Sequence, residues 1–269
     1  MKESSFHNRR TDLSEREWLN FLAEFYYKKS GDKFGQSNES KRYEFIAELN
    51  RLKRLVGRDS TVLDIGAGTG RLALPLAKIA RKVTVLEPAE LSMIQLRKNA
   101  VRERIENLGF IECLWSDYSI LDKYDLVFSA WCEAIRDPSA LLKMHQTSKG
   151  YCSIVMNATP YGGDDFFNSI YRLVMNEQYK PICSCIHIIS TLYQHGIYPN
   201  METWKTESIT EYGNLDEALS YWKMFLMNYT TVTDDMEEPL RAYYRSKMNP
   251  DGSYHYPTKG VACMIWWHV

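Results

Sequence analysis

The chain has 269 residues, of which 45% are hydrophobic and 25% charged, and its 33 Lys and Arg against 34 Asp and Glu leave a net charge of −1. That length buries a full core and suits one α/β domain with an added lobe, while near-neutrality argues against the clustered cations that grip phosphates, so no nucleic-acid partner is expected. No apolar run is long enough for a bilayer, and the opening Met1-Lys2-Glu3-Ser4-Ser5 lacks the apolar core of a secretion signal, so no membrane partner and a cytoplasmic location are expected.

In chain order, Ser14-Glu15-Arg16-Glu17 gives a capping box ahead of Trp18, Phe21, Leu22, Phe25 and Tyr26 at helical spacing. A polar stretch from Ser30 to Ser37 follows, then a second helix around Ser40 to Leu55. Its basic residues, Lys41-Arg42 and Arg51-Lys53-Arg54, sit among Glu residues and read as a solvated face. Val62 to Ile65 is a buried strand running into glycines, and Arg71 to Ile79 carries apolar residues at helical spacing. Val83 to Leu86 is the next strand. Tyr124 to Ser129 is another, and the alternation of strand and helix continues to Ala158. That order demands a mostly parallel sheet covered on both faces. Thr159 to Asn200 breaks the pattern with Pro160, Gly162-Gly163, Pro181 and Pro199 around helices at Asp164 to Asn176 and Ser184 to Gln194, and reads as an inserted lobe. A strand from Glu202 to Ile209, helices near Asn214 and from Met236 to Met248, a turn at Asn249-Pro250-Asp251-Gly252 and a strand from Gly260 to Trp267 complete the chain.

The chemistry concentrates in Val62-Leu63-Asp64-Ile65-Gly66-Ala67-Gly68-Thr69-Gly70 and in Val83-Thr84-Val85-Leu86-Glu87-Pro88. Glycines serve where the chain turns sharply and where a ligand lies against bare backbone. Glu87 ends its strand roughly twenty residues beyond the turn, where an acidic side chain accepts hydrogen bonds from ribose hydroxyls. A dinucleotide fingerprint needs a third glycine where this chain has Arg71, which disfavours a nicotinamide oxidoreductase. Asp64 beside the cradle would repel a pyrophosphate and suits a cationic ligand better.

Leu63 to Gly70 closely resembles motif I of class I S-adenosylmethionine-dependent methyltransferases, whose cofactor carries a sulfonium and an ammonium. Ser116-Asp117-Tyr118 resembles that family's adenine-contacting loop, and the resemblance covers about residues 40 to 158 well. It implies a doubly wound, mostly parallel seven-stranded sheet with helices on both faces, an antiparallel pair of late strands, an N-terminal helical lid and an inserted lobe. Residues 1–40 are then the N-terminal extension and 41–269 the methyltransferase domain, with a substrate lobe at about 160–200. By the same resemblance Asp64 orients the methionine amino group, directly or through water, Gly66, Ala67, Gly68 and Gly70 give backbone approach, and Glu87 grips the ribose. Pro88 and Met93 pack on the adenine, Asp117 accepts from its amino group, and Trp115, Ser116 and Tyr118 frame the ring. Ser129 sits at the carboxyl end of the fourth strand, and Tyr26 is an aromatic lid residue beside Phe25 and Tyr27.

Beyond Ser129 the chain reads Ala130-Trp131-Cys132-Glu133, where the family approaches the transferring methyl. No Asn-Pro-Pro-Tyr type motif stands there, which tells against amino groups of nucleic-acid bases as acceptors. Trp131 is a cation-stabilising aromatic face or a core Trp. Glu133 is a base or a helix-start carboxylate, and His195 and His187 are base candidates by location. The expected activity is methyl transfer to a small-molecule acceptor, with S-adenosylhomocysteine as product. A protein side-chain methyltransferase and a non-catalytic binder of the cofactor are the alternatives. A monomer or homodimer is expected. The six cysteines are scattered and read as reduced thiols, and Cys183-Ser184-Cys185-Ile186-His187 has a poor spacing for zinc, so no metal is expected.

Overall fold

The computed structural model describes residues 13–30, 39–158, 165–179, 183–230 and 233–269. Among them the elements run α1 (Glu15–Ser30), α2 (Glu39–Leu52), β1 (Thr61–Ile65), α3 (Ala73–Ala77), β2 (Lys82–Leu86), α4 (Glu90–Arg102), β3 (Leu108–Ile111), β4 (Tyr124–Ala130), α5 (Pro138–Thr147), β5 (Ser148–Asn157), α6 (Asp165–Met175), α7 (Cys185–Gln194), β6 (Asn200–Tyr212), α8 (Leu215–Leu226), α9 (Asp234–Arg245) and β7 (Tyr254–His268). The polar stretch expected after α1 and the Pro and Gly residues at 160–163 and 181 fall outside the described residues.

The strands form one seven-stranded sheet in the order β3-β2-β1-β4-β5-β7-β6. β1 to β5 pair in parallel and β7 runs antiparallel to β5, as the sequence predicts. The strand order reverses between β1 and β4, so the crevice outside their carboxyl ends is the topological switch point where ligands of such sheets bind.

Alternation along the strands sets the two faces. Val62, Val83, Val85, Leu126 and Phe128 feed a core with Leu49 and Leu52 of α2, Ala73 and Leu76 of α3, and Met93 and Leu96 of α4. Leu63, Ile65, Leu86 and Val127 feed the opposite core with Leu141 and Met144 of α5, Ile188 and Leu192 of α7, and Ile265 and Trp267 of β7. Burying each such aliphatic or aromatic side chain contributes about 1.5 to 3 kcal/mol, which is what holds helices on both faces. Asp64 falls on the α2 to α4 side with Val62, a position that only its chemistry explains.

The chain divides into two compact units. One holds the sheet with α1 to α5 and α7 and comprises Glu15–Pro160, Pro181–Thr206 and Val261–Val269. The other contains α6, α8 and α9, with the distal part of β6 and the proximal part of β7 within Glu207–Gly260. Its core is aromatic: Tyr212, Trp222, Tyr244 and Tyr254 are buried with Ile170 and Leu240, and the Trp222 indole donates to the Tyr244 hydroxyl. Of the two helices placed in an inserted lobe at about 160–200, α6 lies in this helical unit and α7 packs on the sheet.

Three boundaries differ from the sequence reading. The helix expected from Arg71 to Ile79 is only Ala73–Ala77, because residues 71 and 72 are spent in the turn that follows Gly70, whose φ is 88°. β7 starts at Tyr254 rather than Gly260, and β6 reaches Tyr212. The added length is polar and aromatic, without the apolar run that marks a strand in sequence. It is joined instead across the pair, as by the Thr210 and Thr258 hydroxyls 3.1 Å apart. Two of the basic residues read as a solvated face are paired instead: Arg51 of α2 lies 2.8 Å from Glu202 and 4.3 Å from the centre of the Trp204 ring, and Arg54, just past α2, also pairs with Glu202.

Candidate functional site

Strand register places Ile65 beside Leu86 on one side and Ser129 on the other, so the residues that follow β1, β2 and β4 leave the sheet together. Gly66 and Ala67 both donate to the Leu86 carbonyl, at 2.8 and 3.2 Å, bending the chain sharply off the end of β1. Gly66, Gly68 and Gly70 have φ of 74°, 55° and 88°, a region that L side chains rarely adopt. Each glycine answers a different constraint. A Cβ on Gly66 would stand 2.1 Å from the Cys132 sulfur, and one on Gly70 3.0 Å from Leu96, so both are needed for packing. A Cβ on Gly68 would meet nothing within 4 Å: the space above it is open, as a cradle for a ligand requires.

Glu87 is buried and holds that turn from below. One carboxylate oxygen accepts from the Gly68 N–H at 2.8 Å and the other from the Ala89 N–H at 2.9 Å, leaving each a further lone pair for a hydroxyl. Asp64 is 3% exposed. Burial pushes its carboxyl up to about 8, with the Arg71 guanidinium pulling it back and Glu87 adding to the rise. Burial also raises Glu87, against the two backbone donors. Two neighbouring buried carboxyls, with the Arg71 guanidinium acting on Asp64, make the turn a place for a cation rather than a phosphate.

Helix α4 braces the turn, since the buried Asn99 side chain donates to the Thr69 carbonyl at 2.9 Å. Met93 is 2% exposed in the core beneath, and Pro88 is half-buried just ahead of α4. The loop after β3 docks on α5. Trp115 and Tyr118 are buried and stacked 5.5 Å apart, the Trp115 indole donates to the Ala140 carbonyl at 3.1 Å, and Lys143 lies 4.8 Å from the Trp115 ring centre while donating to the Ser116 carbonyl. Ser116 and Asp117 are exposed on that loop and hydrogen-bonded to each other at 3.1 Å.

After β4 the buried Ser129 leads to Trp131, which has φ of 55° and donates its backbone N–H to Val155 at 2.9 Å. This turn seats the Cys132 sulfur against Gly66. The half-exposed Trp131 indole donates to Glu48 of α2 at 2.8 Å. The other oxygen of Glu48, a residue only 2% exposed, lies 2.6 Å from the Arg71 guanidinium in an ion pair. Glu133 pairs with Arg136, and burial together with the Glu133 charge pushes up the hydroxyl of Tyr26 on α1. Tyr26 thus lies within electrostatic reach of Glu133. α1 is tied to α4 as well, the Glu90 N–H donating to Asn20 at 2.9 Å.

His195 is placed apart from these groups in the hydrogen-bond network: it is exposed at the end of α7, with Nδ1 2.8 Å from the Thr191 carbonyl of its own helix. His187 Nδ1 accepts from the Ser184 N–H at 3.1 Å, capping α7. Among the described residues no group of three His, Cys, Asp or Glu is placed to hold a metal ion.

Sequence reasoning missed Glu48, Asn99 and Cys132. Glu48 sits in a helix whose pattern of Glu, Lys and Arg looks solvated throughout, and only tertiary pairing marks it. Arg71 was visible as a departure from the dinucleotide fingerprint, but not as Glu48's partner.

Residues 62–149 match the family model of the methyltransferase domain. A probable ribosomal RNA small subunit methyltransferase A from Methanosphaera stadtmanae is 36% identical over 94 residues, which cover 32% of this chain and 34% of that protein. The chain thus spans about a third of the length of the first curated relatives it matches. Among solved structures, YcgJ from Bacillus subtilis superposes with a TM-score of 0.57 at 15% identity, covering 84% of this chain and 97% of that one. The magnesium protoporphyrin IX methyltransferase of Synechocystis PCC 6803 with bound SAH superposes with a TM-score of 0.53 at 17% identity, covering 71% and 90%. The fold is that of the class I methyltransferases, and the matched segment holds the glycine turn, Glu87 and the Trp131 turn.

Proposed function

We propose that this chain, whose residues 62–149 match the methyltransferase domain, is an S-adenosylmethionine-dependent methyltransferase acting on a small molecule. The observation that carries the reading is the crevice at the switch point. There an open, left-handed Gly68 lies over the doubly hydrogen-bonded Glu87, beside the buried carboxyl of Asp64. The residues fit the cofactor: Glu87 has acceptor capacity for ribose hydroxyls, Asp64 for the methionine ammonium, and the Gly66 to Gly68 backbone for close approach. Pro88, Met93, Ser116, Asp117 and Tyr118 are assigned to the adenine side, Ser129 to the strand end beneath the site, and Tyr26 to its α1 side.

When bound, S-adenosylmethionine supplies a methyl group on a sulfonium, an excellent leaving group. The protein's own work is then to position the acceptor and to exclude water. Trp131, held half-exposed beside the turn, offers a ring face to a cation, an interaction of roughly 0.5 to 2 kcal/mol. Glu133 and His195 remain the candidates to take a proton from the acceptor. Support for a small acceptor comes from the balanced charge, and a structural neighbour that is a magnesium protoporphyrin IX methyltransferase is consistent with it. The ribosomal RNA relative matches through only a third of its length, so it bears on the cofactor half rather than on the acceptor.

The test is transfer of tritium from S-adenosyl-[methyl-3H]methionine by purified protein into three pools from one extract: metabolites below about 1 kDa, protein, and RNA. The reading requires label in the metabolites. Label in RNA or protein instead would move the assignment to that acceptor class. No label in any pool, with the cofactor still bound, would make the chain a non-catalytic binder.

A further inference from the structure

The Glu48 carboxylate is buried on α2, outside the segment that matches the methyltransferase domain, yet both of its oxygens are committed to that segment. One accepts the Trp131 indole N–H and the other is ion-paired with the Arg71 guanidinium. Arg71 begins the helical side of the glycine turn; Trp131 begins the turn after β4. The two turns meet through the Cys132 side chain, whose sulfur fills the space where a Cβ on Gly66 would be. Trp131 reaches this arrangement with a φ of 55°, which a bulky residue keeps only where its surroundings hold it. The backbone is fixed by the bond to Val155 and the side chain by Glu48.

We propose that Glu48 is a positioning residue that locks Trp131, so that its ring face rather than its N–H is offered to the ligand, and clamps the two walls of the cofactor crevice together from outside the matched segment. This inference rests on the proposed function above. With the indole N–H consumed, Trp131 cannot donate to an anionic or carbonyl acceptor group. The group it favours is apolar or cationic: the sulfonium methyl itself, or an aromatic or amine-bearing acceptor. Because α2 is the bearer, anything that displaces α2 frees the indole and releases Arg71.

The test uses the full chain labelled with 5-fluorotryptophan, the Trp131 resonance being assigned by its loss in Trp131→Phe. Glu48→Gln keeps an oxygen able to accept from the indole but removes the charge that pairs with Arg71. Glu48→Leu removes both. The Trp131 resonance is expected to move in Glu48→Leu and to stay near its wild-type position in Glu48→Gln. S-adenosylhomocysteine affinity is expected to fall about tenfold in Glu48→Leu, and by threefold or less in Glu48→Gln. In the double variant Glu48→Leu, Trp131→Phe the loss should be no greater than in Glu48→Leu alone. A Trp131 resonance unchanged in Glu48→Leu, or additive losses in the double variant, would overturn the inference. Failure of the wild type to bind S-adenosylhomocysteine would overturn the proposed function, while the resonance position in the unliganded variants still reports whether Glu48 holds the indole. If Glu48→Leu does not fold, a resonance displaced in Glu48→Gln together with loss of its affinity beyond threefold counts against the inference.

Discussion

Affinity for S-adenosylhomocysteine will rise steeply with pH, and Asp64 is the reason. Its buried carboxyl titrates near 8 rather than at its ordinary 3.8, so at pH 6 about one molecule in a hundred carries the charge and at pH 8 about half do. A ligand ammonium that pairs with the ionised form alone sees its affinity scaled by that fraction. The expected gain between pH 6 and pH 8 is about fifty-fold, close to 2.3 kcal/mol at about 1.4 kcal/mol per tenfold. Binding must also expel nearly one proton per ligand at pH 6 to 7. Calorimetry at pH 6, 7 and 8, in two buffers of different ionisation enthalpy, reads affinity and proton release together. Asp64→Asn should bind more weakly at pH 8 and lose the slope. An affinity flat within twofold across that range, or a slope that survives in Asp64→Asn, refutes the reasoning. The sign for the ligand-free fold is opposite. A raised carboxyl favours the protonated native state, so this group's contribution is fully present below about pH 4 and lost as pH rises towards 8.

The glycines separate folding from binding. Gly66→Ala drives a Cβ into Cys132 and should destabilise by about 2 to 4 kcal/mol, partly relieved by adding Cys132→Gly, as denaturant midpoints will show. Gly68→Ala places a Cβ that meets no protein atom and should lower stability by only about 1 to 2 kcal/mol of backbone strain, while weakening S-adenosylhomocysteine binding at least tenfold. Asn99→Ala removes the side-chain donor to Thr69 and should cost about 1 to 3 kcal/mol in urea unfolding with a proportionate loss of affinity. In the aromatic helical unit, Trp222→Ala should destabilise by about 3 to 5 kcal/mol, with loss of near-ultraviolet circular dichroism.

The sheet and the glycine turn were legible because parallel strands buried on both faces must read as continuous apolar runs. The spacing of Gly66, Gly68, Gly70 and Glu87 is enough by itself to put acidic and bare-backbone groups at adjacent strand ends. What the residues could not display was pairing between distant polar groups. Glu48 has the same neighbours in sequence as a solvated glutamate, and its burial follows only once α2 lies over Arg71 and Trp131. Trp131 itself was visible as an aromatic at the right strand end, but the left-handed backbone that turns Cys132 onto Gly66 has no sequence signature in a non-glycine residue. The polar halves of β6 and β7 escaped for a related reason, since their order comes from cross-strand partners such as Thr210 and Thr258 and from aromatic packing around Tyr212 and Tyr254 rather than from hydrophobic alternation.

The most direct measurement is a calorimetric titration of the purified chain with S-adenosylmethionine, S-adenosylhomocysteine and NADH, repeated on Glu87→Ala. Micromolar binding of the first two, no binding of NADH, and at least a tenfold loss in the variant, about 1.4 kcal/mol or more, are expected. Binding of NADH alone, binding of none of the three, or a cofactor affinity indifferent to Glu87 would contradict the cofactor assignment.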